Sequence, residues 1–159
     1  MPVDRHAAPA PTGPFASEQA LAAAEWLSGS DLLSWRRDLQ RWGGDPGSFD
    51  WLLDAAAGLS PSHLRMLVLH PARLVPLRRP REEIERLWRQ HLEASTPLQY
   101  LVGHCFWCDL ALEVGPGVLI PRPETEGMID LAMDLLREAG GLASPNGLWA
   151  DLGTGSGCL

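Results

Sequence analysis

The sequence predicts an α + α/β chain: an N-terminal helical bundle, a β-hairpin, and the opening of an α/β unit. Three observations predict it. Apolar residues recur at helical spacing over residues 17–95. They alternate with a period of two from Cys105 to Val114. A short apolar run, Leu148 to Leu152, then leads into closely spaced glycines. With 159 residues, 45% hydrophobic and 21% charged, the composition is globular, which excludes wholesale disorder.

Each element has its own signal. Residues 1–16 are rich in Pro and Ala without the apolar stretch of a signal peptide, and read as a disordered leader. Ser17 to Leu27 is Ala- and Leu-rich and predicts a helix. Residues 28–31 interrupt it and offer a new N-cap. Leu32, Leu33, Trp35, Leu39 and Trp42 then suit a second amphipathic helix, closed by Gly43 and Gly44. Ser48 is expected to cap a short helix with Phe49, Leu52, Leu53 and Ala56 inward, stopping at Gly58. Ser60-Pro61 starts another, carrying Leu64, Leu67 and Val68 and ending at Pro71.

The clearest helix runs from Arg81 to Ala94, with Ile84, Leu87, Trp88, His91 and Leu92 on one face. Glu82 with Arg86, and Glu85 with Arg89, are spaced for i,i+4 pairs on the other. The tryptophans at 26, 35, 42, 51 and 88 read as core rather than as a platform for stacking bases. His91, on an apolar face, reads as a core histidine.

Character changes at Thr96-Pro97. Gln99 to Val102 predicts a strand. The following alternation places Phe106, Cys108, Leu110, Leu112 and Val114 on one face, with a turn at Gly115-Pro116-Gly117 and a return strand at Val118 to Ile120. Pro123 then opens a helix with Met128, Ile129, Leu131, Ala132, Leu135 and Leu136 inward, ended by Gly140-Gly141. The expected segments are thus 1–16, 17–95, 96–120 and 121–159.

Charge and cysteine content exclude several classes. Twenty acids against 13 bases, every base an arginine, give a net charge of −7 without a basic stripe, a poor match to a phosphate backbone. No apolar run approaches the roughly 18 residues of a membrane span. Three cysteines, Cys105, Cys108 and Cys158, are too few for a disulfide scaffold, and a cytoplasmic location is expected. In an extended strand the side chains at 105 and 108 point to opposite faces, so the Cys-x-x-Cys spacing does not predict a metal site. Cys108 is expected in the core.

Two motifs carry chemistry. The first is Asp151-x-Gly153-x-Gly155-x-Gly157 after a strand, where backbone amides can approach a ligand. Its spacing differs from the dinucleotide fingerprint, and no Gly-Lys-Ser/Thr ending of a P-loop follows. An acid two residues before the first glycine suits a ligand with a cationic amino-acid end, such as S-adenosylmethionine. A plain tight turn between strand and helix explains the same residues. The second is Pro121-Arg122-Pro123-Glu124-Thr125-Glu126, stiffened by its prolines and with acids in the first helical turn. A rigid helix entry with surface acids explains that one as well.

Taken in order, Pro97-Leu-Gln-Tyr-Leu-Val-Gly103, Val118-Leu-Ile-Pro-Arg-Pro-Glu-Thr-Glu126 and Asp151-Leu-Gly-Thr-Gly-Ser-Gly157 strongly resemble the glutamine methyltransferases that modify peptide chain release factors. The resemblance is weak over the helical part and close from Pro97 onward. It implies a helical substrate-recognition domain, a hairpin linker and a class I methyltransferase domain with a Rossmann-like sheet. It also implies methyl transfer from S-adenosylmethionine to the side-chain amide nitrogen of the glutamine in a Gly-Gly-Gln motif. By resemblance, Gly153, Thr154, Gly155, Ser156 and Gly157 contact the cofactor, Asp151 supports the loop, and Pro121, Arg122, Pro123 and Glu124 border the active site. The release factor is the implied partner, with no nucleic acid, membrane or metal.

The family's Asn-Pro-Pro-Tyr motif, which binds the target amide, is absent from these 159 residues. The chain is therefore expected to be an N-terminal fragment that alone neither binds the cofactor usefully nor methylates. Rival readings are a ribosomal-protein glutamine methyltransferase, a non-catalytic protein-binding helical module, and a nucleotide-binding fold, the last disfavoured by the glycine spacing.

Overall fold

The computed structural model describes residues 25–108, 110–138 and 152–155. The chain divides into two units, Met1–Val102 and Gly103–Leu159. Together they hold helices and two small antiparallel sheets. The leader at 1–16 and the helix start at 17–24 lie outside the described residues.

Local capping sets most element ends in the first unit. Helix α1 (Gly29–Gln40) begins where the Ser28 hydroxyl accepts the Asp31 amide at 3.2 Å, and it buries Leu32, Trp35 and Leu39. Helix α2 (Pro46–Leu52) is capped by Asp45 rather than the expected Ser48. The Asp45 carboxylate accepts the Ser48 amide at 2.7 Å and its hydroxyl at 3.0 Å. Pro46 lacks an N–H and so fits the first helical position, which moves the cap one residue upstream of it. A wider π turn (Leu53–Ala57) extends α2 and stops at Gly58, left-handed at φ +75°. Helix α3 (Pro61–Leu69) starts on Ser60, whose hydroxyl accepts the His63 amide at 3.3 Å.

A strand pair replaces the end of the first expected helix. Strand β1 (Glu25–Ser28) pairs antiparallel with β2 (Leu74–Leu77), in the register Glu25↔Leu77 to Ser28↔Leu74. The amides of Gly29 and Ser30 continue the pairing onto the carbonyls of Arg73 and Pro71 at 2.8 Å. These distant partners override the helical propensity of the Ala-rich stretch, and neither strand was assigned from sequence. Pro76 is tolerated because each strand has an outer edge.

Helix α4 (Arg81–Ala94) follows the sequence reading, with Ile84, Leu87 and Trp88 buried. Its charged face is wired differently. Glu85 accepts the Trp35 indole N–H at 2.7 Å, and Arg89 lies 5.0 Å from the centre of the Trp42 ring. The i,i+4 ion pair here is Arg79–Glu83, 2.9 Å. Residues 99–102, expected as a strand, fall in the short helix α5 (Leu98–Val102). The Pro97 carbonyl accepts the amides of Tyr100 and Leu101, and Leu98 and Val102, one turn apart, join the core together.

That core is centred on Phe49 and Trp88, whose ring centroids lie 4.9 Å apart, ringed by Leu32, Leu52, Leu53 and Ile84. Trp35 and Trp88 are core tryptophans as expected, and Trp51 is half-buried. Trp26 and Trp42 are not: 48% and 43% of their surface remains exposed. Trp26 points to the face of the ribbon opposite Leu27, and Trp42 lies beyond the end of α1. Val68 is likewise exposed, since α3 turns Leu64 and Leu67 inward.

In the second unit the hairpin sits earlier than expected. Strands β3 (His104–Trp107) and β4 (Leu110–Glu113) pair antiparallel, with Cys105 opposite Leu112 and Trp107 opposite Leu110. Cys108 enters the connecting turn at φ +50°. A turn at this point reverses the chain after Trp107, so Cys105 and Trp107 share a face with Leu110 and Leu112 instead of opposing them. Cys105, Trp107 and Val114 are therefore buried, whereas Phe106 and Cys108 are exposed. Residues 118–120 form no strand. A 3₁₀ turn (Pro123–Thr125) feeds helix α6 (Glu126–Glu138), none of whose residues is buried. Met128, Ile129, Leu131 and Leu135, expected inward, are exposed. Of the expected strand at 148–152, only Leu152 is described; it lies in a bend and is 93% exposed. Gly140-Gly141 lies outside the described residues. Among the described residues no helix is long and apolar enough to cross a membrane.

Candidate functional site

The Pro-Arg-Pro-Glu segment is held by its carbonyls and its neighbours rather than by buried side chains. Arg122 is extended, at φ −91° and ψ 139°, and Pro123 starts the 3₁₀ turn with its φ preset for it. The Arg122 carbonyl accepts the Thr125 amide at 2.9 Å and the Thr125 hydroxyl at 2.6 Å. It also accepts the Trp107 indole N–H, at 3.4 Å. Glu126, the first residue of α6, accepts the Cys108 amide at 3.0 Å. The hairpin turn and the helix entry are thereby tied at two points. Arg122, Pro123 and Glu124 stay exposed, and Pro121 is half-buried.

This arrangement leaves the Arg122 and Glu124 side chains presented on a stiff backbone. A rigid support of this kind lowers the ordering cost of whatever they meet. The sequence reading put Glu126 down as a surface acid favouring the helix dipole. Its bond to Cys108 was missed, as were the roles of Trp107 and Thr125. Helix-entry position was the only local signal for Glu126, and nothing local pointed it at residue 108.

In the glycine loop the structure describes Gly153, Thr154 and Gly155; Asp151, Ser156 and Gly157 lie outside the described residues. Gly153 has φ +83° and Gly155 has φ +56°, both left-handed. A Cβ built at Gly153 meets nothing within 4 Å, and one at Gly155 meets only the Gly153 carbonyl, at 3.8 Å. Among the described residues nothing fills the space beside this backbone, so a ligand can approach it closely. Left-handed glycines with open flanks are what a backbone-lined cradle requires, and to that extent the residues fit a nucleoside ligand.

His91 and the cysteines do other work. The His91 ring nitrogen Nδ1 lies 2.8 Å from the Thr96 carbonyl, and the ring stacks on Trp88 at 5.2 Å. Cys105 is the buried member of the Cys-x-x-Cys pair and Cys108 the exposed one, the reverse of expectation, because the turn falls between them. Among the described residues no group of three His, Cys, Asp or Glu side chains could hold a metal ion.

No protein-family model matches the chain. Curated relatives do. It is 42% identical over 134 residues to a release factor glutamine methyltransferase of Prochlorococcus marinus, covering 84% of this chain and 45% of the relative. Over the stretch it spans, the chain belongs to the release factor glutamine methyltransferase family. The corresponding protein of Gloeobacter violaceus is 42% identical over 115 residues, 72% of this chain and 37% of its own. That of Synechocystis is 34% identical over 141 residues, 84% of this chain and 46% of its own. The chain thus spans less than half the length of these family members.

Proposed function

We propose that this chain serves the transfer of a methyl group from S-adenosylmethionine to the side-chain amide nitrogen of the Gly-Gly-Gln glutamine of a peptide chain release factor, in the cytoplasm. The observation that carries the reading is the extent of the family match: 42% identity over 134 residues to a relative of that name. The cofactor, when bound, supplies an electrophilic methyl on a sulfonium. In this reading Gly153, Thr154, Gly155, Ser156 and Gly157 lie against it, supported by Asp151. The open, left-handed backbone at Gly153 and Gly155 supports that assignment. Residues 121–124 border the reacting centre, and their tether to the hairpin supports a positioning role. An amide nitrogen is a poor nucleophile, so its orientation and the exclusion of water carry the reaction. The helical segment at 17–95 recognises the substrate, 96–120 links, and 121–159 opens a Rossmann-like methyltransferase domain.

The experiment uses the source cell. Deleting the region that encodes this chain removes one methyl mass from the release factor peptide bearing Gly-Gly-Gln, read by mass spectrometry. Retention of that methyl rejects the reading, and loss from a ribosomal-protein glutamine instead transfers it to the rival substrate. The 159 residues alone, which carry no Asn-Pro-Pro-Tyr, bind S-adenosylmethionine weakly and methylate nothing in this proposal. Micromolar binding by isothermal titration overturns that second statement.

A further inference from the structure

A pocket of about 380 Å³ opens on the N-terminal unit where the start of α2 meets the end of α4 and the start of α5. Asp45, Ser48 and Trp51 line it from α2, His91 from α4, and Pro97 and Gln99 from α5 and the turn before it. All of these lie within residues 25–108, which are described without a break, and none of their side chains bonds outside those limits. Among the described residues Asp45 is the one acid in the lining, and no arginine lies there, in a chain without lysine.

The polar groups around the pocket are acceptors left open. Asp38 and Asp50, on either side of Asp45 in the sequence, are paired with Arg41 and Arg36 at 2.6 and 2.7 Å. Among the described residues Asp45 forms no ion pair, and both Ser48 bonds fall on its Oδ2, which leaves Oδ1 able to accept. His91 Nδ1 lies 2.8 Å from the Thr96 carbonyl. A carbonyl carries no proton, so Nδ1–H donates, and Nε2 of the neutral ring is an acceptor. Neither that nitrogen nor the Gln99 side chain has a partner among the described residues. Trp51 is half-buried, so part of its indole is open beside them. His91 also stands in the last turn of α4, and the C-terminal end of a helix favours a cation.

We propose that this pocket binds the guanidinium of an arginine side chain from a polypeptide partner. The planar group stacks on the Trp51 indole, and its N–H donors meet the Asp45 carboxylate, His91 Nε2 and the Gln99 side-chain carbonyl. A fork of five donors that also stacks suits several acceptors beside a ring better than a compact ammonium does. Free arginine fits less well, because its α-carboxylate finds no cation in the lining. A single exposed carboxylate contributes little by itself, so selectivity rests on the ring and the other acceptors acting with it. Binding of this kind is independent of methyl transfer.

The test titrates the isotope-labelled 159-residue chain with N-acetyl-arginine amide and follows its amide and indole NMR signals. Saturable shifts are expected at the Ser48 amide, the Gln99 side-chain amide and the Trp51 indole N–H. N-acetyl-citrulline amide, which keeps the shape but not the charge, leaves them in place. N-acetyl-lysine amide and free L-arginine bind at least about threefold more weakly. Asp45→Asn, which retains an acceptor for the α2 cap, lowers affinity for the capped arginine about fivefold. Trp51→Leu and Gln99→Ala lower it as well. Circular dichroism on each variant checks folding, and Gln99→Ala alone is read if Trp51→Leu unfolds. The proposal is overturned by an absence of shifts, by equal shifts with citrulline, or by an affinity that Asp45→Asn leaves unchanged. Lysine or free arginine binding as tightly as the capped arginine overturns it too.

Discussion

Asp45 caps α2 from a fully exposed position, and its charge makes that cap dependent on pH. The Ser48 amide, and after it the Ser48 hydroxyl, hold the Asp45 carboxyl below its usual value of 3.8. A carboxyl lowered on folding adds stability above the unfolded value and loses it as pH falls through the folded one. Asp45→Asn keeps an acceptor for the Ser48 amide but does not titrate. The melting temperature of the native chain should therefore exceed that of Asp45→Asn at neutral pH. The gap should close as acid is added below the usual carboxylate range, in thermal scans at stepped pH. A gap that stays constant or widens in acid means the carboxylate charge is not what stabilises the cap.

At the scale of elements, the N-terminal unit is held by side chains that meet at α4. Ile84 and Trp88 are fully buried, with the Phe49 ring tilted at 56° against Trp88 and Trp35 bonded across to Glu85. Ile84→Ala removes buried methyl groups where neighbours from other elements are fixed, and should cost about 2–5 kcal/mol in chemical denaturation. A loss below about 1 kcal/mol means that the surrounding elements collapse into the space. This helix was legible because its signal is local: a run at helical spacing, acids in its first turn and an apolar stripe. Ser60 was legible as a cap, and residues 28–31 as the place of one, for the same reason. The β1–β2 ribbon was not, because Trp26 and Pro76 become partners only through the fold between them. In the second unit the extended chain at Cys105–Trp107 and Leu110–Glu113 was legible, but the single run expected from Cys105 to Val114 is broken at Cys108. The place of that turn was not legible, since Cys108 takes a left-handed φ that no glycine announces. The candidate site divides in the same way. The glycines at 153 and 155 and the prolines at 121 and 123 stand out in the sequence, whereas the bonds from Trp107 and to Glu126 exist only once the hairpin has closed.

At the scale of the whole molecule, burial is unequally shared between the units. Every member of the large hydrophobic cluster lies between Leu27 and Val102. Among the described residues the second unit buries only Cys105, Trp107 and Val114, and α6 buries none. A helix gains most of its stability from packing an amphipathic face, and one of 13 residues without that packing is marginal in water. Local opening free energies should differ accordingly. In native-state hydrogen exchange on the 159-residue chain, the α4 amides should require near-global unfolding to exchange. Those of α6 should exchange at rates close to those of an unfolded peptide, with β3 and β4 between them because the hairpin retains its ladder and the Trp107 contact. Proteolysis should follow the same order, cutting α6 first and leaving the N-terminal unit intact. Protection of α6 equal to that of α4 would instead mean that its apolar face, Met128, Ile129, Leu131 and Leu135, is covered in solution, and that the second unit has a core of its own.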